Sequence, residues 1–541
     1  MLNKARRSSA GPGQAARPVR HARFPRFLLF VAACVAAFVL VPLAYLVVRA
    51  FEVEPAELRA IVLRERNVWL LGNTVLLTGS VLLATTLLAL PLAWLTTRSD
   101  LRPRGLLVLI GVLPLAIPGY VGAYAMIAAS GTGGLIDALT GFAWPRPSGY
   151  WGALGILTLF TFPYLFLNFW TSLRGLDPSL EEAARALGHG PLATFWRVTL
   201  PQLRPAALAG ALLVVLHVLG DFGVVSLMRF ETFSYAIYQQ YNGSFDRTGA
   251  AWLSLMLLLL TGATLMFEAR LLRHLRFARV GSGTARRVAP VHLGMWRWPA
   301  LLFCALVAGA ALLVPMASLL YWLGRGLASG ALRGLWPALL NSLQVAAPAA
   351  VIAALLALPL AYLGVRFPSA LTRLMERAAY VGYATPPLAY ALALIFFTLR
   401  TVPPLYQTLT LLVLAYALHF LAEAIGPVRS ALYQATERLE DAARMLGHTG
   451  FGAFRLVTLP LLRPGLLAAT ALVLLSALKE LPLTFLLSPS GFNTLATDVW
   501  SYTSEAMFAE AAPYALMLVA VSTVASALIL RQARGGRGGA S

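Results

Sequence analysis

Glu181-Glu-Ala-Ala-Arg-Ala-Leu-Gly-His189, closed by Thr199-Leu-Pro201, recurs 259 residues later as Glu440-Asp-Ala-Ala-Arg-Met-Leu-Gly-His448, closed by Thr458-Leu-Pro460. Residues 181–209 aligned with 440–468 share 17 of 29 positions, and both copies stand between long apolar runs. Repetition on this scale sets the architecture before any single motif is weighed. A polar block kept in both halves of an oily chain points to a docking surface.

The surrounding composition points to a membrane. Of 541 residues, 59% are hydrophobic and only 12% charged, and mean hydropathy is +0.74. A soluble domain so composed would expose large apolar patches, so the bilayer is the expected solvent. Runs of roughly 20 apolar residues, enough to cross about 30 Å of hydrocarbon, recur along the chain. Six fall at 27–50, 70–96, 105–129, 150–173, 206–229 and 250–271. Six more fall at 298–323, 340–365, 372–398, 405–428, 465–488 and 511–530. The expectation is an all-α polytopic membrane protein with 12 transmembrane helices.

The net charge of +21 comes almost wholly from arginine, since the only lysines are Lys4 and Lys479. On a soluble chain this excess would suggest nucleic acid. Here the basic segments instead follow the rule that orients membrane proteins, so nucleic acid is not an expected partner. The tail with Lys4, Arg6 and Arg7, the loops Arg98–Arg104 and Arg366–Arg377, the stretch Arg270–Arg287 and the C-terminal Arg531–Arg537 all land on one face if twelve spans cross. Both termini are therefore expected in the cytoplasm. The loop after the first span fits least, with Arg59, Arg64 and Arg66 beside four glutamates (Glu52, Glu54, Glu57 and Glu65). The first apolar run is too long for a signal core and lacks a small-residue cleavage site, so it reads as a retained anchor. Cys34 and Cys304 fall inside spans, where no disulfide is expected.

The repeat reaches beyond the polar blocks. Leu90-Pro-Leu-Ala-Trp94 matches Leu358-Pro-Leu-Ala-Tyr362 at an offset of 268, as Arg98 matches Arg366 and Pro118 matches Pro386. The later offset of 259 leaves nine extra residues in the first half (268 − 259), placed in the Gly/Pro-rich stretch 131–149. Six spans per half is even, so both halves insert the same way. Parallel repeats predict a pseudo-two-fold axis along the membrane normal with the pathway between them. The expected divisions are a basic tail (1–26), a first six-helix domain (27–274) with a polar loop at 175–205, and a cytoplasmic linker (275–297). A second six-helix domain (298–530) with a polar loop at 434–464, and a tail (531–541), complete the chain.

Each block reads as a short amphipathic helix. Leu180, Ala183, Ala184 and Leu187 form an i, i+3, i+4, i+7 stripe, as do Leu439, Ala442, Ala443 and Leu446. Asp177 and Thr436 suit the N-cap, the acidic pairs 181–182 and 440–441 suit the positive end of the macrodipole, and Gly188 and Gly447 suit a left-handed end. Paired alanines allow close approach of another surface, with the carboxylates as anchors at its rim. A helix that merely lay on lipid would carry bulky Leu, Phe or Trp instead.

This pattern resembles the EAA loop of ATP-binding-cassette importer permeases: Glu-Ala-Ala, a glycine, then Leu-Pro. The match covers Glu182-Ala183-Ala184, Gly188 and Leu200-Pro201; in the second copy Asp441 replaces the glutamate beside Ala442-Ala443, Gly447 and Leu459-Pro460. The resemblance implies a type I importer permease in which Glu181, Glu182, Ala183, Ala184, Gly188 and Pro201, with Glu440, Asp441, Ala442, Ala443, Gly447 and Pro460, couple the chain to cytoplasmic ATPase subunits. Asp441, one methylene shorter, predicts a slightly weaker second dock.

No Gly-x-x-x-x-Gly-Lys-Ser/Thr loop occurs, so the chain is not expected to cradle a nucleotide that way. It is expected to be no enzyme and to bind no cofactor; ATP and Mg would sit on a separate ATP-binding subunit, present in two copies. No metal or catalytic constellation stands out, and His217 and His419 fall singly inside spans, the usual mark of packed side chains. Asp221 and Glu480 correspond at the 259 offset. Each lies 16 residues beyond a proline, Pro205 or Pro464, about 24 Å along a helix. They are read as pathway or gate residues, the alternative being snorkelling at the outer interface with Glu480 paired to Lys479.

Gly220-Asp-Phe-Gly-Val-Val-Ser-Leu227, Glu231–Tyr238, Leu478-Lys-Glu-Leu-Pro482 and Leu495-Ala-Thr-Asp-Val-Trp500 look like the fused permeases of ferric-iron importers. That implies a multi-pass protein of a bacterial inner membrane, fed by an external or periplasmic substrate-binding protein. Related permeases serve thiamine, polyamines and oxyanions such as sulfate and molybdate. A rival of another class is an ion-coupled secondary transporter using Asp221 and Glu480, which would not need the paired blocks. Neither the chelation state of the iron nor the role of the nine-residue insertion can be read from the sequence.

Overall fold

The computed structural model describes residues 26–52, 64–243, 246–273, 290–330 and 332–535. The basic tail before Arg26, most of the linker 275–297 and the end of the C-terminal tail lie outside them. Among the described residues the chain is helical, with one isolated bridge between Ser99 and Val291 as its only β feature. Eight helices are long and apolar enough to cross a membrane, and four bent pairs bring the possible number to twelve.

Two of the bends were not anticipated as bends. The runs expected to span 105–129 and 372–398 each turn sharply, by 99° between Arg104–Ala116 and Gly119–Ala129 and by 109° between Ala370–Ala384 and Pro387–Thr401. The cause is the matched prolines. Proline lacks an N–H and pushes the preceding residue out of the helical region; Ile117 (φ −93°, ψ 115°) and Thr385 (φ −69°, ψ 128°) are indeed extended. Apolarity marked these runs as membrane-embedded but carried no information on direction.

The same three-helix cluster is built twice. Glu65–Arg98, Gly149–Gly175 and Arg204–Gly220 pack together, as do Leu335–Arg366, Leu421–Gln434 and Leu459–Leu478. The halves also interlock. Arg26–Ala50 packs on Ala370–Ala384 and Pro387–Thr401, while Val314–Ser329 packs on Gly119–Ala129. The Trp322 indole donates to Ala128 O at 2.8 Å and the Tyr124 hydroxyl to Phe508 O at 2.7 Å, so polar bonds pin this exchange. Each leading helix thus reaches across to the opposite half, Val314–Ser329 while also packing on Phe508–Gly535 of its own.

Lipid tails are as apolar as leucine, so helices in a bilayer associate through close packing rather than hydrophobic burial. Small residues sit where the approach is tightest. A Cβ on Gly465 would stand 2.5 Å from the Ala431 Cβ and 2.9 Å from Pro427 O, and one on Gly382 would stand 2.6 Å from a Val39 methyl. Gly72, by contrast, has nothing within 4 Å. Gly465→Leu is expected to cost about 1–3 kcal/mol by overpacking, whereas Gly72→Leu stays within about 0.5 kcal/mol. Thermal unfolding in detergent micelles tests this, and equal midpoints for the two variants would refute the crossing.

Candidate functional site

The first polar block forms the helix Pro178–Ala186, capped by Asp177, whose Oδ1 accepts the Ser179 N–H at 3.0 Å. The second forms Glu437–Met445. Thr436 occupies its N-cap position as expected but makes no side-chain capping bond; Glu437 and Glu440 in the first turn complement the dipole. Both ends close as anticipated. Gly188 (φ +86°) and Gly447 (φ +90°) are left-handed. The next N–H groups, from His189 and His448, reach back to Ala184 O and Ala443 O at 3.1 and 3.2 Å. Open space surrounds both glycines, so conformation rather than room demands them.

The acidic pairs do not act together at the rim as the helical pattern suggested. Glu182 and Asp441 are exposed, while Glu181 and Glu440 are each 5% exposed and face inward. Arg98, the last residue of Glu65–Arg98, approaches Glu181 Oε1 at 3.1 Å, and the Thr199 hydroxyl donates to the same oxygen at 3.1 Å. Arg366, the last residue of Leu335–Arg366, approaches Glu440 Oε1 at 3.5 Å, and Thr458 donates to it at 2.7 Å. Arg185 and Arg444 approach the remaining oxygens at 3.8 and 3.6 Å. The second cluster is reinforced by bonds from Arg366 to Glu437 and to Ala435 O.

Both threonines end a five-residue π-helical turn, Phe195–Thr199 and Phe454–Thr458. Pro201 and Pro460 follow in the first turn of the next helix. The hydrogen bonds of such a turn close one residue farther along than in an α-helix, and the threonine that ends it is the one that donates to the buried glutamate. Outside these clamps an apolar face has no cover among the described residues. Leu187 and Leu446 are 81% and 82% exposed, and Ala183 and Ala442 lie open beside them, while Ala184 and Ala443 are buried.

A 17-residue helix, about 25 Å long at 1.5 Å per residue, separates the first of these helices from a cavity between the halves. The cavity has a volume of about 290 Å³. Asp221 and Glu480 line it, each just after a membrane helix ends, at Gly220 and Leu478. Each caps the short helix that follows: Asp221 Oδ1 accepts the Val224 N–H at 2.9 Å, and Glu480 Oε1 the Leu483 N–H at 3.0 Å. Glu480 is not ion-paired with Lys479, whose Nζ instead donates to Leu115 O at 3.2 Å across the halves. Beside Asp221, the rings of Phe222, Tyr238, Phe485 and Trp500 cluster with centroids 4.7–6.3 Å apart, drawn from both halves.

His217, His419, Glu423 and Lys479 also line the cavity. Sequence reading took His217 and His419 for packed side chains and Lys479 only as a possible partner of Glu480, and it passed over Glu423. Their counterparts at the 259 offset are Ser476, Phe160, Tyr164 and Gly220. A carboxylate inside a span was the available signal for Glu423, since such groups are costly and usually functional.

The family model described as binding-protein-dependent transport system inner membrane component matches residues 22–276 and 353–535. The Fe(3+)-transport system permease protein FbpB 2 of Haemophilus influenzae is 34% identical over 500 residues, 91% of this chain and 95% of its own length. The ferric transport system permease protein FbpB of Actinobacillus pleuropneumoniae is 22% identical, covering 83% of this chain and 69% of its own length. The sulfate transport system permease protein CysW of Escherichia coli is 29% identical over 47% of this chain and 91% of its own length.

Removing one partner of a buried ion pair costs about 3–5 kcal/mol, because the other charge is stranded. Arg98→Met should therefore raise amide hydrogen exchange across residues 178–187 far more than Glu182→Gln. Arg98→Met combined with Glu181→Met should recover much of the protection. Equal exchange in the two single variants would sink the clamp.

Proposed function

This chain belongs to the family of binding-protein-dependent transport system inner membrane components and is thus a membrane subunit of a transporter; on that premise we propose that it carries ferric iron inward, driven by ATP hydrolysed on separate subunits. The single observation that carries the reading is the paired set of docking helices, each with an uncovered apolar face and each clamped to the end of a long membrane helix. The name of the Haemophilus influenzae relative, aligned over nearly the whole chain, supports ferric iron as cargo.

In this reading the chain makes twelve spans in two parallel halves, with both termini in the cytoplasm. A loaded binding protein docks on the outer face. Two copies of an ATPase subunit seat Glu182, Ala183 and Leu187 in one cleft and Asp441, Ala442 and Leu446 in another. Closing around ATP, the ATPases push the two helices. Arg98–Glu181 and Arg366–Glu440 carry that push into Glu65–Arg98 and Leu335–Arg366, so the halves rock about the cavity. Phe222, Tyr238, Phe485 and Trp500 form the gate at the outer end, with Asp221 and Glu480 facing the pathway below it. A secondary transporter would find use for the two carboxylates but none for two matched docking faces.

Burying a charge in an apolar cleft is strongly unfavourable. Leu187→Asp with Leu446→Asp is therefore expected to abolish co-purification of the ATPase and to lower ATP-dependent ferric uptake at least about tenfold, a loss of roughly 1.4 kcal/mol or more in docking. Proteoliposomes containing the ATPase and binding protein provide the assay. Uptake that survives the double substitution, or that thiamine supports and ferric iron does not, would overturn the proposal.

A further inference from the structure

The charge in the cavity belongs mostly to one half. Where the first half places Phe160, Tyr164 and Gly220, the second places His419, Glu423 and Lys479. Glu423 accepts a hydrogen bond from Ser476 at 2.7 Å and stands within electrostatic reach of both Lys479 and Glu480. Lys479 crosses to the first half at Leu115 O, and the Tyr120 hydroxyl returns the link by donating to Lys479 O at 3.2 Å. With Asp221 the cavity holds three carboxyl groups against one ammonium.

His419 is 3% exposed and lines the same cavity. The lining does not suit a bare metal ion. Among the described residues no three His, Cys, Asp or Glu side chains stand together closely enough to hold one. Acceptors spread round a cavity suit a cation that keeps its own coordination shell and offers bound N–H or O–H groups outward.

We propose that the cavity is a transit site for a multivalent cation carried with its ligands, and that Lys479 is a resident counter-cation that occupies the site until the cargo displaces it. Asp221, Glu423 and Glu480 receive the hydrogen bonds of the cargo's shell. Outer-sphere contacts bind strongly enough to admit the cation and weakly enough to release it, as conduction through any pathway requires. The ammonium keeps the carboxyl cluster from standing uncompensated when empty, and it gives way without a covalent step. This deepens the ferric reading by stating how the metal is held.

Hexaamminecobalt(III) is a trivalent cation whose shell does not exchange, so it binds only by outer-sphere contacts. Equilibrium dialysis against the full-length chain in zwitterionic nanodiscs should show saturable binding. Hydrogen bonds to charged groups contribute about 1.5–3 kcal/mol, so Glu423→Gln should weaken binding at least roughly tenfold. Lys479→Met should tighten it by a similar factor, and Lys479→Arg should stay near wild type. Opposite signs are the signature, because a merely structural role would weaken both. Absence of saturable binding, no change in either variant, or a shift of both in one direction would overturn the proposal. The measurement needs no ATPase and no binding protein, so its failure is distinguishable from a failure of ATP-driven ferric uptake.

Discussion

A glutamate buried at the base of each docking helix is the contact on which the rest depends. A nine-residue helix is too short to persist by itself in water. Glu181 and Glu440 hold theirs by reaching inward to an arginine at the end of a long membrane helix and to a threonine in the following π-turn. A carboxylate in that setting is unfavourable without its partner, so helix and arginine must move together. The result in each half is a short helix fastened to the end of a membrane helix, with Leu187 or Leu446 exposed on its outer side. Had both acidic residues faced outward, the helix would have been charged on the docking side and untethered on the other.

Proline and glycine shape the membrane interior at the same time. Non-helical backbone at membrane depth is tolerated only where protein or a wet cavity surrounds it. The breaks at Pro118 and Pro386, and those following Gly220 and Leu478, all gather around one cavity. Asp221 and Glu480 serve there as caps, giving the freed N–H groups of Val224 and Leu483 a partner. The carboxyls are thus part of the fold and available to the cavity, since capping engages Oδ1 of Asp221 and Oε1 of Glu480. Small residues let the helices close around this irregular centre, and the exchanged leading helices stop the halves from drifting apart.

Fusion of the two halves permits what a dimer of identical chains cannot. In a homodimer every cavity residue would occur twice, and a lysine would face a lysine. Here Lys479 corresponds to Gly220, on which a Cβ would stand 3.2 Å from Pro387 Cδ, and Glu423 corresponds to Tyr164. The two polar blocks are alike in sequence. The cavity walls diverged because together they enclose a single space.

Much of this was legible in the chain. The repeated blocks, their amphipathic stripe, the glycine ends and the apolar runs follow from periodicity and from the backbone freedom that only glycine has, and these are local properties. The prolines were matched as part of the repeat but not read as bends, and apolar composition cannot say which way a helix turns. What only the tertiary structure decided was the direction of each acidic side chain, the exchange of leading helices and the company of His419, Glu423 and Lys479. Those depend on which surfaces meet across more than three hundred residues, as between Leu115 and Lys479. Spacing along one helix records which residues share a face, but what that face will touch is set by the packing of the others.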